Sequence, residues 1–229
     1  MKQKTRENKH QIVKYLAKAI LDRNTTHPLR VGIDGVPASG KTTLSNDLAE
    51  ELKKSGRQVI YAAVDGFHNP KKTRYRKGRE SPEGYLLDSY NNQAVIDNLL
   101  IPLGPGGSLE IKTAIFDFLI DSEVEIPVLK AVKDAILVME GIFLFRPELT
   151  GYWDLKIFLD IDFSISLDRA LGRDGYYLGN EADIREMYEK RYIPGQMLYF
   201  AASKPKEQAD ILIDNNDFGN PRVIRSSIR

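Results

Sequence analysis

Residues 35–42 read Gly-Val-Pro-Ala-Ser-Gly-Lys-Thr, and their flanks leave few folds open. Before them, Leu29-Arg-Val-Gly-Ile-Asp34 is a short apolar run of strand type. After them, the stretch from Thr43 to Leu52 carries Leu44, Leu48, Ala49 and Leu52 at helical spacing. Strand, glycine loop and helix in that order turn the pattern G-x-x-x-x-G-K-T into a phosphate cradle. Gly35 and Gly40 let main-chain N–H groups turn inward around phosphate oxygens. The helix beginning near Lys41 aims its positive dipole end and unpaired N–H groups at the same anion. Lys41 adds a mobile charge for the β- and γ-phosphates, and the Thr42 hydroxyl is a ligand for Mg²⁺. The expected nucleotide-binding loop therefore comprises Gly35, Val36, Pro37, Ala38, Ser39, Gly40, Lys41, Thr42 and Thr43, with ATP as the cofactor.

The remainder alternates strands with helices. An amphipathic helix is expected over 7–22, from Ile12, Val13, Leu16, Ala19 and Ile20 on one stripe. Strands are expected over 58–64, 135–139, 155–160 and 209–214, and helices over 91–100, 164–171 and 181–201, the last kinked at Pro194. Residues 109–116 and 124–128 read as a β-hairpin beside the main sheet. The segment 65–88 is polar and rich in Gly, Pro and Arg, a length of loop that usually carries function. The expected architecture is α/β, the P-loop nucleoside triphosphate hydrolase fold: a parallel sheet flanked by helices, with a small hairpin insertion and a helical lid. Ligands should meet the carboxyl ends of the strands. All 229 residues are read as one domain, with an acceptor-binding segment at 65–128 and a lid at 169–185.

Charge and composition narrow the function. Lys plus Arg is 33 and Asp plus Glu is 32, so no global field draws nucleic acid or membrane. Cysteine is absent, which removes disulfides, thiolate chemistry and cysteine-built zinc sites. His10, His27 and His68 are too scattered for a histidine metal cluster. No apolar stretch approaches the roughly 20 residues of a membrane span, and the first residues lack a signal-peptide apolar region. The expectation is a soluble cytoplasmic enzyme, with no membrane partner and a homo-oligomer left open.

Phosphoryl transfer needs a metal across the β- and γ-phosphates and a group that orients or deprotonates the attacking hydroxyl. Two acids stand where strands should end beside the glycine loop. Glu140 follows Ala-Ile-Leu-Val-Met and precedes Gly141, as a Walker B acid would; Asp65 follows Tyr-Ala-Ala-Val. An Asp at a strand end is also an ordinary turn residue. Asp34 directly precedes Gly35 and is read as shaping the turn.

Four motifs, in order, resemble the uridine kinase and phosphoribulokinase group. They are Gly-Ile-Asp-Gly-Val-Pro-Ala-Ser-Gly-Lys-Thr-Thr, Val-Asp65-Gly-Phe-His68, Met-Glu140-Gly-Ile-Phe and Arg169-Ala-Leu-Gly-Arg173-Asp174. The resemblance runs from about residue 29 to 214. It implies a Mg-ATP-dependent kinase of a small-molecule hydroxyl, with uridine or cytidine the leading substrate. By the same resemblance Asp65 acts as base near the metal, while Glu140 and Thr42 hold Mg²⁺. Asp88, in Ser81-Pro-Glu-Gly-Tyr85-Leu-Leu-Asp88, matches an acid that holds ribose hydroxyls; capping of the following helix is its alternative reading. His68 either touches substrate or turns the chain, and Tyr85 and Tyr90 either line the acceptor site or pack.

The group carries Tyr-Asp-Phe followed by a base-reading His. This chain has Phe116-Asp-Phe-Leu-Ile-Asp121 instead, so base recognition must differ if a base is recognised at all. Acceptors such as pantothenate, a sugar or a phosphosugar remain open, as does a regulatory NTPase switch. Arg169 and Arg173, four apart on a helix, could neutralise the transferring phosphoryl group, or pair with Asp168 and Asp174 on a solvated face. Arg185 and Arg191 are read as surface residues. The run Lys71-Lys-Thr-Arg-Tyr-Arg-Lys-Gly-Arg79 has three readings: a solvated loop, a loop folding over an anionic ligand, and an RNA contact.

Overall fold

The computed structural model describes residues 2–228, with side chains described from Asn8 onward except at 176 and 177. Its centre is a six-stranded sheet in the order Arg222–Ser226, Ile211–Asp214, Leu155–Asp160, Leu29–Gly35, Ile136–Gly141, Val59–Ala63. Every pairing is parallel except that of Arg222–Ser226 with Ile211–Asp214. The strands expected for the main sheet all form, because near-continuous apolar runs suit strands covered on both faces.

Successive side chains of each strand feed opposite layers. Val31, Ile33, Ile136, Val138, Ile157 and Leu159 pack toward the N-terminal helix Lys2–Leu21 and the helix Lys41–Lys53. Ile60, Ala62, Leu137, Met139 and Phe158 face the second layer, where Phe67, Tyr85, Phe143, Trp153 and Tyr199 lie. The sequence of apolar positions thus decides that the sheet has two covered faces.

Several expectations needed adjusting. The hairpin is two short antiparallel ladders, Glu110–Ile111 with Leu129–Lys130 and Phe116–Asp117 with Ser122–Glu123. The chain between them turns its hydrogen bonds elsewhere: Ile115 N–H donates to the Gly66 carbonyl at 2.8 Å. The segment 65–88 is not structureless, since it contains helical turns at Val64–Phe67 and Lys71–Arg74 and a helix at Pro82–Asp88 capped by Ser81. At Pro194 the helix does not break. Glu181–Met187 runs through a widened π-helical turn at Tyr188–Tyr192 into Ile193–Ser203, which places the proline in the first turn of the last segment. The edge strand Arg222–Ser226 was not foreseen; all five of its residues are exposed, so no alternation marks it.

No described helix is long and apolar enough to cross a membrane.

Candidate active site

The first strand is flanked on one side by Ile136–Gly141, and that strand by Val59–Ala63. Parallel register sets Ile33 opposite Glu140 and Ala63 opposite Glu140 from the other side. Strands lie about 4.8 Å apart, so the strand-end acids and the glycine loop must converge. Asp65, two residues beyond Ala63, rises beside Glu140 for this reason. A cavity of about 620 Å³ opens there, lined by Ala38, Lys41, Thr42, Asp65, Glu140 and Arg173 among others.

The loop itself is built on close approach from below. A side chain at Gly35 would put its Cβ 2.6 Å from the Leu159 carbonyl, and one at Gly40 (φ +97°) 2.8 Å from Asn215 Nδ2. The glycines are therefore needed against the sheet beneath as well as for N–H groups above. Asp34 shapes the turn as expected. Its carboxylate accepts from Gly35 N–H at 2.6 Å, from Phe145 N–H at 3.3 Å and from the Tyr199 hydroxyl. Burial outweighs those bonds and raises its pKa to about 6. Asn215, just past a strand end, donates to the Ser39 carbonyl at 2.6 Å and ties the loop to the sheet's far side. Its position at a strand's carboxyl end is a signal that could have found it.

Lys41 is buried, its Nζ donating to the Val36 carbonyl at 2.9 Å. Burial lowers its pKa, opposed by the nearby charges of Glu140, Asp34 and Asp65. Thr42 Oγ1 donates to Glu140 Oε1 at 2.9 Å, and the Tyr61 hydroxyl donates to the same oxygen at 3.2 Å. Burial raises the pKa of Glu140, with Lys41 pulling against it. A hydroxyl touching a buried carboxylate, with Asp65 lining the same cavity, is a hard oxygen set suited to Mg²⁺, which uses few protein ligands and keeps phosphates and water. Among the described residues no group of three or more His, Cys, Asp or Glu could hold a metal alone.

Asp65 is half exposed and accepts from the Tyr90 hydroxyl at 3.2 Å. His68 bonds the Asp65 carbonyl at 2.9 Å and stacks against Tyr90 and Phe118, with ring centroids at 4.5 and 4.9 Å. It both turns the chain and lines the cavity. Its pKa is lowered by burial, so the ring stays neutral near neutral pH. Tyr85 also lines the cavity and is mostly buried.

Three site candidates sit elsewhere. Phe116 is core, while its neighbour Phe118 faces the cavity. Asp88 is buried outside the lining, held by Arg76 Nε at 3.1 Å and by Arg76 Nη2. Nor does it cap the next helix, because Asn91 does so by accepting from Ala94 N–H. Arg169 braces the loop from behind, donating to the carbonyls of Ala38 at 3.4 Å, Asn215 at 2.8 Å and Asn216 at 2.9 Å. Arg191, read from sequence as a surface residue, is only 2 % exposed. The helical pattern could not show this, because what buries it is the 74–81 segment folding over it. Arg185 does remain outside, paired with Glu181. Arg173 stays at the cavity, paired with Asp174.

Glu140→Gln supplies a test of the metal reading. Its amide oxygen can still accept from Thr42 and Tyr61, so folding should survive. A raised folded-state pKa means that the group's stabilisation is complete below the ordinary glutamate range and is lost as pH rises through the folded value. Without metal, the wild type should therefore lose stability relative to the variant as pH rises above the ordinary glutamate range. Mg-ATP should raise the melting temperature of the wild type and raise the variant's much less. Equal responses to Mg-ATP would remove Glu140 from the metal site.

Comparison with known proteins places the chain in a family and supports its fold. The family model described as phosphoribulokinase/uridine kinase matches residues 31–216. Uridine-cytidine kinase B of Dictyostelium discoideum is 29% identical over 194 residues, covering 83% of this chain and 76% of that protein. Among solved structures, a possible uridine kinase from Bacillus stearothermophilus superposes with a TM-score of 0.68 at 24% identity, over 87% of this chain and 96% of that one. A putative fructose transport system kinase from Silicibacter sp. TM1040 gives a TM-score of 0.69 at 22% identity, over 83% of this chain and 95% of that one. These two likenesses establish the fold.

Proposed function

We propose a specific reaction for this chain, which belongs to the phosphoribulokinase/uridine kinase family and is a phosphotransferase acting on a hydroxyl group. The γ-phosphoryl of ATP passes to a hydroxyl of a small acceptor held in the 620 Å³ cavity. One observation carries the reading: the half-exposed Asp65 carboxylate shares that cavity with Lys41, Thr42 and Glu140. A base, a phosphate cation and a metal-ligand pair around one open space are the parts that in-line transfer requires.

In this reaction the acceptor's O–H proton goes to the Asp65 carboxylate while its oxygen bonds to the γ-phosphorus. The bond from that phosphorus to the β–γ bridging oxygen breaks, and ADP carries away the electron pair. Tyr90, by its hydrogen bond, holds the Asp65 carboxylate in place. Lys41 and Arg173 balance charge on the phosphoryl oxygens. Arg169 acts indirectly, by fixing the Ala38 carbonyl and hence the loop. Thr42 and Glu140 would hold Mg²⁺, with Asp65 nearby, and the ion would supply charge neutralisation on the β- and γ-phosphates.

The relatives named as uridine kinases make uridine and cytidine the first acceptors to test. A second reading, in which the acceptor is not a nucleoside, has its own observation. Asp121 stands where the resemblance expects a base-reading His. It accepts instead from the main-chain N–H of Lys71 at 2.9 Å and from Arg74 Nη2 at 3.0 Å, so its carboxylate is engaged by a guanidinium.

The test is ADP release from Mg-ATP against uridine, cytidine, other nucleosides, pantothenate, ribulose 5-phosphate and simple sugars. Strong stimulation by at least one acceptor is the expected result. Slow hydrolysis that no acceptor changes would replace the kinase with a nucleotide-gated switch.

A further inference from the structure

We propose that the acceptor carries an anionic group, a phosphate or a carboxylate, bound by Arg74 together with Lys71 and Arg79 in the cavity that Asp65 also lines. The inference rests on the kinase reading above and names the class of its substrate.

Three observations carry it. First, the basic run does not point away from the molecule: Lys71, Arg74 and Arg79 all line the same cavity as Asp65. Arg74 is only 8% exposed, and its Nε is buried with no hydrogen-bond partner. A buried guanidinium N–H without an acceptor is unfavourable unless a ligand supplies one.

Second, the local charge is not balanced by the protein. Asp121 takes one Arg74 nitrogen and the Lys71 N–H, and among the described residues Lys71 and Arg79 form no ion pair. Arg76, the neighbouring cation, is already taken by Asp88. The cations left over come from the segment that follows Asp65. That is the acceptor side of the base, whereas the nucleotide's phosphates have Lys41 and the loop.

Third, the loop is fixed in place by another buried cation. Arg191 donates from Nη1 to the carbonyls of Arg79 and Ser81, each at 3.1 Å, and from Nη2 to that of Arg74 at 3.1 Å. Its guanidinium lies over the rings of Tyr75 and Tyr85, 4.9 and 5.5 Å from their centroids. All its hydrogen bonds go to neutral carbonyls, so its charge adds to the positive field beside Arg74. A folded arrangement that gathers like charges costs free energy, and a bound anion recovers it. A neutral nucleoside or sugar would not.

The experiment uses acceptor pairs that differ only in the charged group: ribose and ribose 5-phosphate, glycerol and glycerate, pantothenyl alcohol and pantothenate. ADP release is measured for each, and calorimetric titration follows binding in the presence of Mg-ADP. The proteins are wild type, Arg74→Gln, Arg74→Lys and the exposed Lys71→Gln and Arg79→Gln. The charged member of at least one pair should be strongly preferred, and the phosphate and carboxylate arms identify which anion is read. Arg74→Gln should raise its KM about 100-fold and leave the ATP KM within about threefold. Arg74→Lys should recover part of that loss. Lys71→Gln and Arg79→Gln, which do not depend on the buried pair for folding, should each raise the acceptor KM about three- to tenfold.

Neutral members used as well as charged ones, or uridine preferred over all of them, would overturn the anion site and leave the kinase standing. An equal rise in the ATP KM would assign these cations to the nucleotide and also overturn it. Charged compounds that bind wild type but not the variants, with no turnover, would support the anion site while sinking the transfer reading. Absence of both binding and turnover with every charged member would overturn the proposal.

Discussion

Asp65→Ala should lower phosphoryl transfer by about a thousandfold and leave ATP affinity within about threefold of wild type. The two effects separate because the carboxylate and the phosphate cradle belong to different strand ends. Asp65 follows Val59–Ala63, while the cradle follows Leu29–Gly35, and the strand Ile136–Gly141 lies between them. Losing the base therefore leaves Lys41, Thr42 and the loop N–H groups where they are. The proton of the acceptor hydroxyl would have to pass to water, so the step affected is transfer rather than binding. Single-turnover transfer from labelled ATP, paired with calorimetric ATP binding, reads both quantities. Transfer within tenfold of wild type would remove Asp65 as base. A parallel collapse of ATP affinity would make it chiefly a metal ligand.

The second large effect is structural. Arg191→Met should destabilise the protein by about 2–4 kcal/mol and raise the acceptor KM well above any change in the ATP KM. The apolar stem of methionine fills much the same volume, so what is lost is the fork of N–H groups. The carbonyls of Arg74, Arg79 and Ser81 would each lose a charged donor, and the Tyr75 and Tyr85 rings would lose their cation. Arg191→Lys should not restore the wild type, because one ammonium cannot span carbonyls separated along seven residues of loop. Urea denaturation gives the stability, and limited proteolysis within 74–81 shows whether the loop has loosened. Wild-type stability together with an uncut loop in Arg191→Met would show that the clamp is not needed.

Much of the site was legible in the amino-acid sequence, for a physical reason. The glycine loop must sit between a strand and a helix, and strand-end acids must rise beside it, so 35–43, Asp65 and Glu140 followed from local pattern and spacing. What pattern could not give was direction. The charge of the 71–79 run was plain, but whether it faced solvent or the cavity depended on the helical turn at Lys71–Arg74 and on Arg191 arriving from the far helix. Asp88 failed as a cavity residue for the same reason, since Arg76, twelve residues before it, covers its carboxylate. Tyr61 and Tyr90 carried no mark distinguishing a hydroxyl aimed at Glu140 or Asp65 from one that merely packs.

The sequence alone determined the class of fold and the place of the glycine loop, because both rest on short-range rules: the period of apolar residues, the freedom of glycine and the helix that must follow it. The tertiary structure alone decided which side chains share the cavity beside Asp65. Arg169 turned behind the loop, Arg173 stayed at the cavity, Phe118 took the position expected of Phe116, and Arg74 was buried beside Asp121. Those outcomes depend on contacts between segments from about fifty to more than a hundred residues apart. Such contacts form only where two separately folded surfaces meet, and no local period in the chain encodes them.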